Sequence, residues 1–449
     1  MHPDAFPPIP ASRRDFLRSL ASGVGGLGLA SFLGAEGALG DEIARPHFPA
    51  RAKRVIFLLM AGGPSHIDML DPKPAIAKHA GQRPDGVALR TERVTGGLLP
   101  SPFDFKPGGE SGIEVSELLP NLRGRVDDLC VLRAVHGSNP NHGPATNFMV
   151  SGRIDQVHPS MGAWVSYGLG TENRDLPSFV SFGSSRSGYL PGEHQGTPIE
   201  FDRPTPDRMI RHLRNPKQDR ASQERQLEFL RQADAEHLAG RGPDPLLEAR
   251  IRSMETAFRM QTAAPKVFDI REEDAATREL YGQGKFADSC LLARRLSENG
   301  VRFVQVVNGG WDHHANINAE IRKKCAEIDR PIAGLLSDLK RRGLLDDTLV
   351  VWGGEFGRTP VSEAGDGRDH NPFGFTMWLA GGGVKPGHVH GATDEFGFRA
   401  VDGRVGVHDL HATILHLLGL DHEKLTYRYS GRDFRLTDVS GEVIRPILA

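Results

Sequence analysis

The sequence predicts an α/β protein of three layers, α/β/α, with a mostly parallel sheet and a helical insertion. Three observations predict it. Short, wholly apolar runs recur along the chain, and such runs suit strands buried on both faces. Stretches with helical spacing separate them, the alternation of a parallel sheet covered by helices. Several of the runs end in glycine-rich polar loops, at the carboxyl ends of strands where open sheets of this class bind ligands.

The elements follow in order. Arg54 to Met60 is a continuous apolar run closed by Gly62-Gly63-Pro64, a buried parallel strand. A helix is expected near Leu118 to Asp127, then a strand at Leu129 to Leu132. A helix ending at Ser151-Gly152-Arg153 follows the loop at His136 to Thr146, and Ser178 to Phe182 is a short strand. Residues 190–285 differ: they are rich in Arg, Gln and Glu, with helical spacing at Gln226 to His237 and Leu246 to Phe258. This segment reads as a helical insertion or cap, and most of its charges as a solvated flank. Val301 to Val307 is a strand ended by Asn308-Gly309-Gly310. Ile321, Cys325, Ile328, Ile332 and Leu336 give Ile317 to Leu339 one helical apolar stripe. Thr348 to Trp352 and Phe375 to Ala380 are further strands, and His408 to Leu418 is an amphipathic helix. His388 and His390 sit in a glycine-rich, hairpin-like segment.

Composition narrows the function. The 449 residues are 38% hydrophobic and 25% charged, which excludes a disordered polyelectrolyte and a multi-span membrane protein. Lys+Arg 55 against Asp+Glu 57 gives a net charge of -2, so no global field draws nucleic acid. The histidine content, 19 against 5 tyrosines, points to a metal or acid–base site. Cys130, Cys290 and Cys325 are too few and too odd for a disulfide framework.

The start of the chain is a separate matter. Ser12-Arg13-Arg14-Asp15-Phe16-Leu17-Arg18 precedes an apolar stretch from Leu20 to Leu33. This resembles a twin-arginine export signal. The stretch is shorter than the ~20 residues that span a bilayer. Residues 1–40 are therefore expected to be a signal cleaved near Gly40, and residues 41–449 the folded domain. That makes the protein periplasmic or secreted, a partner of the twin-arginine machinery, with no stable membrane span.

Four strand-end loops carry candidate chemistry. The first, after Met60, holds His66 and Asp68. The second, His136 to Thr146, holds His142 just before a helix N-terminus, a place for anion binding or metal ligation. The third reads Gly309-Gly310-Trp311-Asp312-His313-His314. In an extended segment Asp312 and His314 share a face and His313 points away. Carboxylate plus imidazole on short tethers suits a divalent transition metal. The fourth, Gly353 to Pro372, offers Glu355, Arg358, Arg368 and His370, and arginine recognises phosphate or sulfate oxygens through its planar fork. The Walker loop, the dinucleotide fingerprint, H-E-x-x-H and G-x-S-x-G are all missing from the sequence.

Several of these segments resemble a known family. Together, GGPSHID at Gly62 to Asp68, NHGPA at Asn141 to Ala145, WDHHAN, GEFGRTP and GRDHNPFGF look like the secreted bacterial family called domain of unknown function 1501. Parts also resemble the alkaline phosphatase and sulfatase superfamily. Glu355-Phe356 stands where that superfamily has Asp-His, and His370-Asn371-Pro372 is similar to its later metal-binding histidine segment. Ala61 stands where its first strand ends in a metal-binding aspartate, and His142 where its nucleophile lies. The resemblance implies an alkaline phosphatase-like fold and a metal-dependent hydrolase of phosphate or sulfate esters, acting on a small-molecule or polysaccharide ester. The expected metal is zinc, with calcium, magnesium or manganese as other fits. Asp312, His314 and His370 are expected to bind one ion, and Glu355 with Asp68 or His66 a second. Arg358 and Arg368 are expected to hold substrate oxygens, and His142 to serve as nucleophile, general acid or ligand. Because no hydroxyl or thiol stands at His142, the alternative is a non-catalytic binding or assembly protein that keeps the fold.

Overall fold

The apolar run after Lys53 becomes strand β1 (Arg54–Met60), near the middle of a nine-stranded sheet. The computed structural model describes residues 46–84, 91, 93–155, 158–183, 187–201, 209–211, 213–241 and 244–449. The twin-arginine segment and Gly40 lie outside the described residues.

The other strands that bear on the site are β2 (Leu129–His136), β3 (Phe179–Phe182), β4 (Thr197–Pro198), β5 (Phe303–Asn308) and β6 (Thr348–Gly353). After them come β7 (Gly357–Glu363), β8 (Gly367–Asn371), β9 (Phe375–Ala380), β10 (His388–His390) and β11 (Val405–Gly406). The sheet runs β10-β2-β9-β6-β1-β5-β3-β4, with β11 beside β2. Strand β1 pairs in parallel with β5 and β6. Strand β9 alone runs antiparallel to its neighbours, β2 and β6.

Side-chain alternation along β1 explains the layers. Ile56, Leu58 and Met60 enter one apolar core, and Val55, Phe57 and Leu59 the other. Helices α5 (Lys285–Glu298) and α6 (Ile317–Arg341) cover the first face, burying Cys290, Leu292, Ile321, Cys325, Ile328 and Leu336 there. Helices α2 (Met161–Leu169) and α7 (Val407–Leu417) cover the second through Trp164, Leu410 and Ile414. Each such side chain stabilises the fold by roughly 1.5–3 kcal/mol of apolar burial. The fold is thus a three-layer α/β/α arrangement around a mostly parallel sheet. Between β4 and α5 lie two long helices, α3 (Arg220–Arg241) and α4 (Pro245–Val267). Among the described residues, no helix is long and apolar enough to cross a membrane.

Two expectations are corrected. The helix expected near Leu118 to Asp127 is broken into a turn of α-helix at Pro120–Arg123 and a 3₁₀ turn at Val126–Asp128. The chain leaves helical geometry at Arg125, whose φ is -125°, just after Gly124 ends the first piece. The fourth loop is not a loop throughout. Its residues form the antiparallel hairpin β7–β8, with His370 opposite Arg358 and Asn371 opposite Gly357. The turn is made at Ala364 and Gly365, whose φ values are 47° and 91°.

Candidate metal centre

Asp312 sits in the loop after β5, and its neighbour Trp311 fixes that loop. The Trp311 indole is fully buried and donates to Asn308 Oδ1 at 3.0 Å. The Trp311 amide donates to the Ala61 carbonyl at the end of β1 at 3.3 Å. His313 folds back, its Nε2 3.0 Å from the Gly310 carbonyl; burial, with Arg358 nearby, pushes its pKa down to about 4. His314 turns the other way, placing Nε2 2.8 Å from Asp312 Oδ1.

Two further imidazoles reach the same oxygen. His142 opens helix α1 (His142–Ser151), and its Nε2 lies 3.2 Å from Asp312 Oδ1. His370, on β8, lies 3.0 Å from it through Nε2. The Phe356 ring, fully buried, packs against His142 and His370 at centroid distances of 4.9 and 4.5 Å. The Asp312 side chain remains 43% exposed, so the cluster has one side open to solvent.

The outward nitrogens explain why the inward ones matter. His142 Nδ1 is 2.7 Å from Glu355 Oε1, His314 Nδ1 is 2.5 Å from Glu363 Oε2, and His370 Nδ1 is 2.7 Å from the Pro140 carbonyl. A carbonyl or ionised carboxylate oxygen only accepts, so each Nδ1 carries the proton. In a neutral ring Nε2 is then a bare lone pair. Three lone pairs thus face one carboxylate oxygen, an arrangement that asks for a cation between them. Consistently, the buried Nε2 atoms of His142 and His314 find no hydrogen-bond partner among the described residues. The ligand atoms of His142, Asp312 and His370 all lie within 4.8 Å of one another. An imidazole whose second nitrogen is held by a carboxylate or carbonyl is the usual state of a metal-bound histidine. This donor set fits a divalent ion with nitrogen and oxygen preference.

Electrostatics favour an ionised Asp312 and a neutral His370, while the carboxylates beside His142 favour its protonated form in the absence of an ion. Burial alone would raise the Asp312 pKa, but the hydrogen bond from the Arg358 guanidinium and the imidazoles beside it hold it well below the usual carboxylate range. The hydrogen bond to Glu355 raises His142, whereas burial lowers His370.

The remaining candidates take other places. Glu355 does not point at the shared oxygen. It receives the Gly62 amide at 2.9 Å and holds the His142 ring, which makes it a support. Arg358 is fully buried; it donates to Asp312 Oδ1 at 2.7 Å and to the carbonyls of Gly62, Gly63, Trp311 and Arg368. Its fork is consumed within the chain, so it has no free face for substrate oxygens. Arg368 is likewise buried, gripping both Asp68 oxygens at 2.8 and 3.1 Å. That pair closes on itself because neither charge can be left alone out of water. Asp68 is thereby removed from ligation and Arg368 from substrate binding. His66 stands apart too, its Nε2 2.7 Å from the Gly397 carbonyl, with burial lowering its pKa.

Sequence reasoning missed Glu363 and Asp369. With His314 they form a second group of possible ligands. Their oxygens already accept from Arg93 Nη1, the Arg93 amide and the His370 amide, so they act as props for His314 and His370. Asp369 lay inside the GRDHN segment, between two more conspicuous residues. Glu363 shares a face of β7 with buried Val361, a period-2 signal that a loop reading hides.

Known proteins resemble the chain as follows. The profile of the family described as "Protein of unknown function (DUF1501)" matches residues 52–448. No curated protein matches. Among solved structures, the chain is similar to the phosphonate monoester hydrolase SpPMH from Silicibacter pomeroyi, at 13% identity and a TM-score of 0.39, covering 88% of this chain and 76% of that one. It is similar to the PsFucS1 sulfatase from Pseudoalteromonas sp., at 14% identity and a TM-score of 0.37, covering 83% and 69%. It is also similar to the lipoteichoic acid synthase LtaP from Listeria monocytogenes, at 10% identity and a TM-score of 0.36, covering 95% and 81%.

Proposed function

This chain belongs to the DUF1501 family of proteins of unknown function, and from that premise we propose that it is an exported, metal-dependent hydrolase of phosphate or sulfate esters. One observation carries the reading: the Nε2 atoms of His142, His314 and His370 lie 3.2, 2.8 and 3.0 Å from Asp312 Oδ1, each ring anchored from behind. His142, Asp312, His314 and His370 would hold one ion, and zinc suits this nitrogen-rich set best. A divalent ion there supplies Lewis acidity toward an ester oxygen and lowers the pKa of water.

The chain's own groups prepare that chemistry. Glu355, Glu363 and the Pro140 carbonyl keep protons on the Nδ1 atoms and so hold the lone pairs inward. Arg358 keeps Asp312 ionised and pins its loop to the first strand's turn. Phe356 excludes water from behind the His142 and His370 rings, and the open side at Asp312 admits substrate. The twin-arginine start supports export, with residues 1–40 as the leader and residues 190–285 as a helical cap on the domain.

The test is metal analysis of chain purified without chelators, beside turnover of 4-nitrophenyl phosphate and sulfate with added zinc, manganese or calcium. About one equivalent of bound ion is expected, together with turnover that Asp312→Ala abolishes. Less than about half an equivalent would overturn the centre. Full metal loading with no turnover of either ester would favour the binding-protein reading instead.

A further inference from the structure

Helix α1 carries His142 in its first turn, yet little in the helix itself fixes where it sits. Of its ten residues only Ala145, Met149 and Ser151 are buried, and no side chain caps its N-terminus. A helix packed so thinly gains little position from apolar burial. A slip along its axis would carry His142 with it, because the stretch from His142 to Met149 is a stiff rod of about 10 Å. Metal ligands tolerate only about 0.5 Å of such error.

The fixing contacts are at the other end. His411 Nε2 lies 2.7 Å from the Met149 carbonyl, and His408 Nε2 lies 2.8 Å from the Gly152 carbonyl. Each nitrogen donates, since a carbonyl only accepts. These oxygens are among those that a helix C-terminus leaves without intrahelical partners. Both rings come from α7, three residues apart and so on one face of it. The His408 ring also meets Phe148 edge-on, at a centroid distance of 5.0 Å. Gly152 turns at φ 69°, and the Leu436 carbonyl crosses so close that a Cβ there would overlap it. Arg153 then pairs with Asp438 at 2.6 Å.

His411 is fully buried, and its Nδ1 has no hydrogen-bond partner among the described residues. A bare ring nitrogen out of water costs free energy that an aliphatic side chain would not, so the bond from Nε2 is what this ring contributes. Helix α7 is itself tied to the strand that feeds the His142 loop. Gly406, just before it, is in register with His136 at the end of β2. The Asp409 carboxylate receives the amides of Gly406 and Glu442, both at 2.8 Å. Strand β2, its loop, α1, the two histidines, α7 and β11 thus close a circuit of contacts with His142 on it.

We propose that His408 and His411 are positioning residues for the candidate centre: by holding the last carbonyls of α1, they set the reach of His142 toward Asp312. For the ion this rests on the centre proposed above; for the orientation of the His142 ring it does not.

The test has two arms, both on the full chain, with His408→Leu, His411→Leu, His408→Gln and His411→Gln. Glutamine keeps a side-chain N–H for the carbonyl, and leucine does not. In metal-free protein, imidazole-nitrogen NMR reads the His142 Nδ1 proton held by Glu355, assigned with His142→Ala. That signal is expected to disappear in each Leu variant and to return in each Gln variant. In the second arm, chelator competition reads zinc affinity. It is expected to fall about tenfold in each Leu variant. The same changes in a His142→Ala background are expected to cost nothing further, because the two histidines act through that ring. Thermal melting checks folding, and should His411→Leu fail to fold, His408→Leu, at a half-buried ring, carries the test. Leu variants that keep the Nδ1 signal overturn the inference. Zinc affinity that is unmoved, or lowered equally in both backgrounds, overturns it too, since the histidines would then be general supports of the fold. If the parent binds no zinc, the metal centre falls and the first arm alone decides the positioning role.

Discussion

Asp68 and Asp312 both stand in strand-end loops, yet one closes on an arginine out of water and the other faces three imidazoles and solvent. Asp68 spends both oxygens on Arg368 and accepts from Ser65 Oγ at 2.5 Å, fully out of water. Arg368 and Ser65 hold its pKa low against the upward push of burial. Asp68→Asn should therefore destabilise the protein by about 3–5 kcal/mol, because the Arg368 charge loses its partner. Urea unfolding measures that loss, and bound metal should stay near its original stoichiometry in the folded fraction; metal lost without destabilisation would return Asp68 to the ligand set. Glu355 works one shell behind the ligands. Glu355→Ala frees the His142 ring and should weaken metal binding about 10- to 100-fold with all four ligands still present. Competition with a chelator of known affinity reads this, and an unchanged affinity would count against the anchoring role. Composition and loop position singled out Asp312, His314, His370 and His142, which the structure brings together. They did not separate proposed ligands from props, because that depends on which nitrogen of a ring faces which oxygen.

At the element level, two local devices aim the site. The turn after β1 must pass beneath the Asp312 loop. Gly62 has φ 118°, and a Cβ there would lie 2.7 Å from the Asp312 amide and 2.8 Å from the Trp311 amide. Gly62→Ala should cost at least about 2 kcal/mol and loosen the ion, since the displaced backbone carries both the Glu355 anchor and the Asp312 loop. Calorimetry and metal titration together test this, and an alanine variant of native stability would refute the packing argument. Helix α7 contributes a second, pH-sensitive element. His411 is fully buried, Nε2 2.7 Å from the Met149 carbonyl of α1, and burial pushes its pKa down to about 4. The folded pKa lies below the unfolded value of about 6.5, so the unfolded chain binds more protons between them. Stability is complete above about pH 6.5 and falls as the pH drops toward 4, by about 3 kcal/mol at most from this residue. Unfolding at pH 7 and pH 4.5 should show a smaller loss in His411→Gln than in the parent; equal losses would remove His411 as the cause. The stripe that buries α6 was legible at its 3.6-residue period, but the β7–β8 hairpin was not. Its strands are made of Arg, Thr, Pro, Asp and His buried by mutual hydrogen bonds, a pattern outside apolar alternation.

Across the whole molecule, the proposed ligands come from segments far apart in sequence: His142 after β2, Asp312 and His314 after β5, and His370 on the hairpin after β6. Strand order in the sheet brings these together, because β1 lies between β5 and β6, with β9 and then β2 next along. The layer pattern was readable from apolar runs. The antiparallel insertion of β9 was not, since a six-residue buried run has the same composition in either direction. Convergence of this kind makes an ion a clamp across the sheet. A ligand that binds only the folded chain stabilises it by about 2.7 kcal/mol at 100 times its dissociation constant. Thermal unfolding after chelator treatment should therefore shift upward by a few degrees when zinc is restored. Asp312→Ala should shift little, because it loses the oxygen that all three imidazoles face. Cys130, Cys290 and Cys325 are all buried and free, and burial pushes the Cys130 thiol up to about 12, so zinc capture by a cysteine in the folded state does not compete. If restored zinc raises the parent and the Asp312→Ala variant equally, the ion is binding elsewhere and the clamp is refuted.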